Sequence, residues 1–264
     1  MKPEMRGILS FFFMLGIMGM ESAKAGGEFH VTRRYDADGH LTYELPLEGT
    51  TLHGIARKFR PDGTIGEDWN YDNGQLHGFA ILYGPEGQIV SARHYAHGEL
   101  EGQSRDFYEN GTIQAEWLFQ GGALQGVSRG YYPSGRLKDE RNYRDGLLDG
   151  ESFEYYDGGQ LKNQWHYERG KLDGISKAYY ASGALASQIQ FEMGKRHGHW
   201  QEYYESGLVK FEALYENDLP TGVLKAFRTD GTLAYVDTYD GGEKTRREVL
   251  SEEGKIQEVR EFVH

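Results

Sequence analysis

Apolar residues recur along this chain in a pattern that repeats every 24 positions. Each unit carries an aromatic residue, an aliphatic residue six positions later, and a second aromatic residue six positions after that. In one unit these are Tyr131, Leu137 and Tyr143, and the register holds through eight consecutive units. Six residues rotate an α-helix by about 240°, so this spacing does not keep the three side chains on one helical face. The pattern therefore predicts β-strands.

Glycines mark each unit in three further series. The first series precedes the first aromatic residue by five positions: Gly54, Gly78, Gly102, Gly126, Gly150, Gly174, Gly198 and Gly222. The second and third series lie nine and twenty positions after the first, at Gly63 and Gly74 in the first full unit. Dipeptides such as Asp62-Gly63 are turn signals, because glycine accepts a positive φ. We therefore expect each unit to be a strand–turn–strand hairpin, with a glycine-bounded return loop such as residues 145–150.

A turn at the second glycine places the first aromatic residue of each unit across from the aliphatic residue. Such cross-strand pairs are the stabilising contacts of a sheet, and one unit cannot bury its apolar stripe without neighbours. The sequence predicts an all-β fold, an extended array of β-hairpins in one long twisted antiparallel sheet. Partial units flank the eight full ones, with Tyr35 and Leu41 in the first and Ile256 and Phe262 in the last. With two strands per full 24-residue unit and these partial end units, we expect about 18 strands.

The first 25 residues are typical of a secretory signal peptide. Lys2 and Arg6 give a positive start, residues 8–20 are an apolar run, and Ala23-Lys24-Ala25 fits the small-x-small cleavage pattern. The run is shorter than the ~20 apolar residues that a membrane-spanning helix needs. We predict cleavage after Ala25, an exported protein that is periplasmic or extracellular, and a repeat domain over residues 26–264.

Composition excludes several classes of function. The chain has a formal net charge of −12 and no cysteine among its 264 residues. An acidic protein lacks the basic footprint of a nucleic-acid binder, and without cysteine there is no thiol catalysis or zinc–thiolate site. The sequence shows no nucleophile elbow, phosphate loop or HExxH helix. We expect no enzyme activity, no cofactor and no metal.

The repeat itself resembles a known family. The segments Tyr131 to Leu137 and Tyr143 to Gly150 show Tyr-Tyr-x-x-Gly-x-Leu followed by Tyr-x-x-Gly-x-Leu-x-Gly. This pattern resembles the MORN repeat, in the variant common in bacterial proteins of antitoxin type, and the resemblance covers about residues 29–262. It implies a scaffold, a dimerisation module, a lipid binder or an antitoxin.

Two sets of aromatic residues are candidates for a partner-binding surface. One tyrosine per unit follows the first aromatic residue and is expected on the opposite sheet face: Tyr108, Tyr132, Tyr156, Tyr180 and Tyr204. We call this set the tyrosine ladder. Trp69, Trp117 and Trp165 share one repeat position in alternate units. Tyrosine and tryptophan are enriched at interfaces. The alternative interpretation is that both sets only stiffen and thicken the sheet.

Other candidate ligands in the sequence are weaker. His53 and His77 occupy equivalent positions about 9.5 Å apart, too far for a shared metal. Asp149 and Asp173 adjoin repeat glycines, and Glu101 is at the equivalent position. The calcium-binding nonapeptide signature is absent, and solvated loop charges are expected there.

The sequence favours a non-enzymatic exported scaffold that binds a protein partner. The resemblance adds an antitoxin or immunity role, meaning neutralisation of a toxin by binding. The alternatives are recognition of cell-envelope polysaccharide by the same rings, or of a membrane-lipid surface. An acidic protein is poorly suited to anionic lipid. The partner and the oligomeric state are left open.

Overall fold

The computed structural model describes residues 27–262, so the predicted signal peptide and its cleavage site lie outside the described residues. The described chain is built from strands and turns without a helix. The strands are β1 (Phe29–Tyr35), β2 (Leu41–Glu48), β3 (Thr51–Leu52), β4 (Gly54–Phe59), β5 (Ile65–Asp72), β6 (Gln75–Tyr83), β7 (Ile89–Ala96), β8 (Glu99–Leu100), β9 (Gly102–Phe107), β10 (Ile113–Gln120), β11 (Ala123–Leu124), β12 (Gly126–Tyr131), β13 (Leu137–Arg144), β14 (Leu147–Tyr155), β15 (Leu161–Glu168), β16 (Lys171–Leu172), β17 (Gly174–Tyr179), β18 (Leu185–Glu192), β19 (Lys195–Tyr203), β20 (Val209–Glu216), β21 (Leu219–Phe227), β22 (Leu233–Asp240), β23 (Glu243–Leu250) and β24 (Ile256–Glu261).

All strands belong to one open antiparallel sheet in which each strand pairs with its neighbours in the chain. The two-residue strands β3, β8, β11 and β16 pair with the same neighbour as the strand that follows each of them. Joining these interrupted strands gives twenty strands in ten hairpins, rather than the expected eighteen or so. The difference arises because both end units fold as complete hairpins, β1 with β2 and β23 with β24.

The predicted cross-strand pairs are confirmed in all eight units. Each first aromatic residue lies opposite the aliphatic residue of its own unit: Phe59–Ile65, Tyr83–Ile89, Phe107–Ile113, Tyr131–Leu137, Tyr155–Leu161, Tyr179–Leu185, Tyr203–Val209 and Phe227–Leu233. A register shift accompanies each of these pairs next to the turn, which is where a β-bulge increases the local twist. The hairpin period therefore fixes both the pairing and the twist.

The glycines of the first series do not lie in turns. They lie within strands at positive φ, for example +100° at Gly150, and each is opposite the second aromatic residue of its unit, as Gly150 is opposite Tyr167. The expected return loop is also wrong in length. The turn consists of Asp145 (φ 51°) and Gly146 (φ 79°), and strand β14 begins at once at Leu147. Two central residues with positive φ match the twist of a tight hairpin.

The sheet is a single layer, so its core is thin. Among the described residues only eight apolar side chains are buried, Pro46 and seven others, which include Ala56 at 1% exposure. Ala56 lies opposite Trp69, and Ser152 lies opposite Trp165. Trp200 and Ala213 reverse this order, with the large residue on the first strand. A small residue is thus paired with a large one on the neighbouring strand, so that the large ring packs over the small side chain on the same face of the sheet. In the described part of the chain, no helix is long and apolar enough to cross a membrane.

Candidate functional site

Tryptophan and arginine alternate at one register position along one side of the sheet. This row consists of Trp69, Arg93, Trp117, Arg141 and Trp165, and we call the side that carries it the tryptophan face. Arg141 is exposed and the other four side chains are half-buried. Equivalent positions in successive units lie about 9.6 Å apart. The Arg93 guanidinium lies 5.0 Å from the centre of the Trp117 ring, within cation–π range. The row is therefore a line of rings and charges on one face, in which Arg93 and Trp117 are in contact.

The tyrosine ladder borders the tryptophan face. Tyr108 and Trp117 line the same shallow depression, of about 260 Å³, together with Arg141 and Tyr143. The structure thus brings together members of the two aromatic sets that the sequence singled out separately. The depression is smaller than most small-molecule sites, which span about 300–1,000 Å³.

Every tyrosine of the ladder also binds the next unit. Its hydroxyl donates a hydrogen bond to the backbone carbonyl of the residue 23 positions later: Tyr108 to Tyr131 (2.8 Å), Tyr132 to Tyr155 (2.7 Å), Tyr156 to Tyr179 (2.9 Å), Tyr180 to Tyr203 (2.8 Å) and Tyr204 to Phe227 (2.8 Å). The backbone of each also closes its own turn, as when Tyr132 N–H donates to the Arg136 carbonyl at 2.9 Å. The ladder therefore joins consecutive hairpins along one margin of the sheet.

Other residues occupy the ladder position in the outer units. Arg60 donates to the carbonyl of Tyr83, and Arg228 donates to that of Leu250, so an arginine replaces the tyrosine at each end. Two hairpins depart from this series: Gly84 has no side chain to donate, and the Asp36 carboxylate accepts hydrogen bonds within its own turn. The position thus carries a hydrogen-bond donor to the next unit from Arg60 and from every hairpin between Tyr108 and Arg228, which the sequence pattern alone did not reveal.

Acidic and amide side chains hold the turns at the other margin. The Asp173 carboxylate accepts a hydrogen bond from Met193 N–H at 3.0 Å, and Glu101 accepts one from Gly121 N–H at 2.8 Å. Gln125 and Asp149 make the equivalent bonds to Asp145 and Arg169, at 3.1 and 3.4 Å. The expectation of merely solvated loop charges is therefore wrong for Asp149, Asp173 and Glu101, because each caps a backbone amide of the next unit's turn.

The opposite side of the sheet carries charges of alternating sign, and we call it the charged face. Arg105, Glu116, Arg129 and Glu140 follow one another across it, with Arg129 Nε 2.8 Å from a Glu140 oxygen. The Tyr131 hydroxyl donates to Glu116 at 2.8 Å. Burial, together with this hydrogen bond, raises the pKa of Tyr131 to about 12, so its hydroxyl stays protonated. The alternation neutralises the charges within the sheet.

The charged face also exposes apolar side chains that the sequence analysis did not single out. Ile55, Phe79, Ile175 and Val223 share one register position, directly after the first-series glycine, and are 44–53% exposed. The strand alternation that places the first aromatic residue on this face could have identified them. They are isolated by charged neighbours such as Glu151, which occupies the same position in its unit.

A buried ion pair occupies the tryptophan position near the end of the array. Asp237 is 1% exposed and accepts hydrogen bonds from Arg247 at 2.6 and 2.7 Å, and Lys244 Nζ lies 2.9 Å from its carboxylate. Burial on its own raises the pKa of Asp237, but the hydrogen bonds from Arg247 and Lys244 outweigh it and lower the pKa. Asp237 therefore remains ionised and ties β22 to β23.

One group of potential metal ligands occurs among residues 27–262. Asp36, Asp38 and His40 lie in the first hairpin turn and are all exposed. The Asp36 carboxylate accepts hydrogen bonds from the backbone N–H groups of Asp38 (3.0 Å) and His40 (2.8 Å). These bonds are those of a turn-forming aspartate, which explains the cluster without a metal.

These features define a β-hairpin repeat protein whose chemistry lies on surfaces. Five segments match the MORN repeat variant family, at residues 100–120, 124–145, 148–169, 172–193 and 196–217. All five matches fall within residues 100–217, and the hairpin geometry continues on both sides of this segment. No curated protein matches the chain.

Two solved structures share low similarity with it. One is the Photorhabdus luminescens Tc holotoxin pore with the mutation TccC3-D651A, at 12% identity and a TM-score of 0.21. The other is the TcdB2–TccC3 complex, at 12% identity and a TM-score of 0.19. Each match covers 86% of this chain but only 15% and 17% of the respective structure's chain.

Proposed function

We propose that this protein is a non-enzymatic, exported repeat scaffold that binds a protein partner on its tryptophan face. The observation that carries the proposal is the row Trp69, Arg93, Trp117, Arg141 and Trp165. Tryptophan, tyrosine and arginine are the residues that dominate binding energy at protein interfaces. The row presents two of these types in alternation, held at one register position on paired strands.

Because neighbouring hairpins are joined to one another, the binding surface does not have to become ordered when a partner binds. In the middle of the array, consecutive hairpins are joined at both margins, by hydroxyls such as that of Tyr132 and by turn caps such as Asp173. A rigid surface loses little conformational entropy when a partner binds, which leaves more of the contact energy for affinity. Neutralisation of a toxin, as the antitoxin-type resemblance implies, is one form that such binding could take.

Capture from the exported fraction tests the proposal. The bait variant is Trp117→Ile/Arg141→Ile, because Ile189 naturally occupies the equivalent position and keeps the strand apolar. The matched control is Ile175→Gln on the charged face, because Gln103 occupies the equivalent position there. A partner captured by wild type and control should bind the variant at least about 30-fold more weakly, since two hot-spot side chains are lost.

Two other results would overturn the proposal. Undiminished capture by the Trp117→Ile/Arg141→Ile variant would show that the tryptophan face is not the interface. Saturable binding to purified envelope polysaccharide, with no protein captured, would favour recognition of glycan by the same rings.

Flotation with anionic vesicles examines the lipid alternative, which the charge of −12 disfavours. Mass determination of the exported protein's N-terminus tests cleavage after Ala25.

A further inference from the structure

The two edges of the sheet are open and carry different charges. Among residues 27–262, β1 pairs only with β2, and β24 pairs only with β23. Every residue of β24 is exposed, and so is every residue of β1 except Thr32, which is half-buried. β1 carries Arg33 and Arg34, whereas β24 carries Glu258 and Glu261 around one arginine, Arg260. Unpaired edges of this length are usually protected against association by charge. Here the edge strand β1 carries net positive charge and the edge strand β24 carries net negative charge.

The register of the repeat is complementary at these edges. The described array, residues 27–262, begins with the first strand of a unit, because Tyr35 lies opposite Leu41 as each first aromatic residue lies opposite its aliphatic residue. It ends with the second strand of a unit, because Ile256 lies opposite Leu250 in the same way. Within the array, every second strand pairs with the first strand of the following unit, as β13 pairs with β14. β24 is therefore a second strand whose free edge lacks the first strand of a following unit, and β1 is a first strand whose free edge lacks the second strand of a preceding unit.

The array also specifies which residues would meet. Asp139 lies opposite Glu154 and Glu140 lies opposite Phe153 where one unit joins the next. Carried over to the two edges, this register places Glu258 opposite Arg34 of a second copy. The Glu258 side chain is 47% exposed and forms an ion pair with Arg260, two residues away, and among the described residues no ion pair engages Arg34. A cross-strand charge pair would thus form between groups that are accessible on both sides.

We propose that β24 of one copy pairs antiparallel with β1 of a second copy, so that the sheet continues from chain to chain. The contact is head to tail and does not close on itself, which gives an open series of copies rather than a fixed dimer. Pairing of two β1 edges is opposed by the arginines of both copies. This inference concerns the edges alone and stands or falls separately from binding on the tryptophan face.

Charge reversal followed by sedimentation velocity tests the proposal, with protein purified from cells that express the full chain. The variants are Arg34→Glu, Glu258→Arg, and the two together in one chain. Lys171→Glu, an exposed residue in the middle of the array, is the matched control for the change in charge. Each single reversal turns an attractive cross-strand pair into a repulsive one and should weaken association about three- to thirty-fold.

The double variant decides between a pairing role and a general charge effect. Its two exchanged charges would again meet as an opposite-sign pair across the junction, with the acidic group on β1 and the basic group on β24. Association should therefore return to nearly the wild-type level, and Lys171→Glu should not alter it. Ionic strength is held constant, because salt screens two opposing effects: the attraction between Glu258 and Arg34, and the repulsion between whole chains of charge −12.

Three results would overturn the proposal. The first is a wild-type protein that stays monomeric at every concentration. The second is a double variant that associates as weakly as the single variants. The third is loss of association on Glu258→Arg without loss on Arg34→Glu, because that result indicates pairing between two β24 edges.

Discussion

Removing one hydroxyl from the tyrosine ladder tests whether hairpins are joined by side-chain hydrogen bonds. Tyr156→Phe keeps the ring but deletes the 2.9 Å hydrogen bond from the Tyr156 hydroxyl to the Tyr179 carbonyl. A typical intramolecular hydrogen bond contributes about 0.5–1.5 kcal/mol net. Water can reach the half-buried carbonyl, so we expect a loss of about 1 kcal/mol in the free energy of unfolding. With an m-value of about 2–3 kcal/mol/M, the urea midpoint falls by about 0.3–0.5 M.

The matched control is Tyr143→Phe. The Tyr143 hydroxyl makes no hydrogen bond to another described residue, and Phe119 and Phe191 occupy the equivalent position in their units. We expect the control to change stability by less than about 0.5 kcal/mol. Unfolding is followed by tryptophan fluorescence in urea. Equal losses for Tyr156→Phe and Tyr143→Phe would refute the role assigned to the ladder.

The ladder also predicts how several changes combine. Its members lie about 9.6 Å apart, at the limit beyond which mutational effects usually add. Replacing all five tyrosines with phenylalanine should therefore cost about 5 kcal/mol. Because each bond joins two neighbouring units, its loss weakens coupling between them, and the unfolding transition should also broaden.

Further predictions concern single positions. Gly84→Tyr supplies the missing donor of the ladder and displaces only the flexible end of Gln88, so urea denaturation should show a gain of about 0.5–1 kcal/mol. Asp237→Ala removes the carboxylate that two partly exposed cations contact and should cost about 2–4 kcal/mol in the same assay. Because the pKa of Asp237 is lowered by folding, its contribution is present near neutral pH and is lost as the pH falls through that lowered pKa. Asp237→Asn should therefore flatten the acid limb of the stability profile. Gly174→Ala, at φ +83° with no atom within 4 Å of the added Cβ, should cost about 1–3 kcal/mol from backbone strain alone. Gly66→Ala, at ordinary φ with its nearest contact at 3.5 Å, should cost much less, and thermal unfolding compares the two.

The repeat made the candidate site only partly predictable. The sequence located the ladder and the tryptophans, because a fixed period exposes any residue type that recurs at one position. It left open whether the rings contact a partner or stiffen the sheet. The structure shows that the ladder hydroxyls bond the backbone of the next hairpin, while the Tyr108 ring borders a depression with Trp117. Binding by those rings stays a prediction. The bonds themselves could not be read from the sequence, because they join residues 23 positions apart across a turn.

The period, the strand–turn–strand unit and the pairing of aromatic with aliphatic residues were predictable from the amino-acid sequence. Those features follow from local backbone preferences and from side-chain alternation, which every unit repeats. The two-residue turn at Asp145-Gly146, the positive-φ glycines inside strands such as Gly150, and the donors and caps along the two margins emerged from the folded sheet. These features depend on how one hairpin lies against the next. Every residue type offers the same backbone carbonyl, so which side chain bonds to it is set only when two hairpins come together.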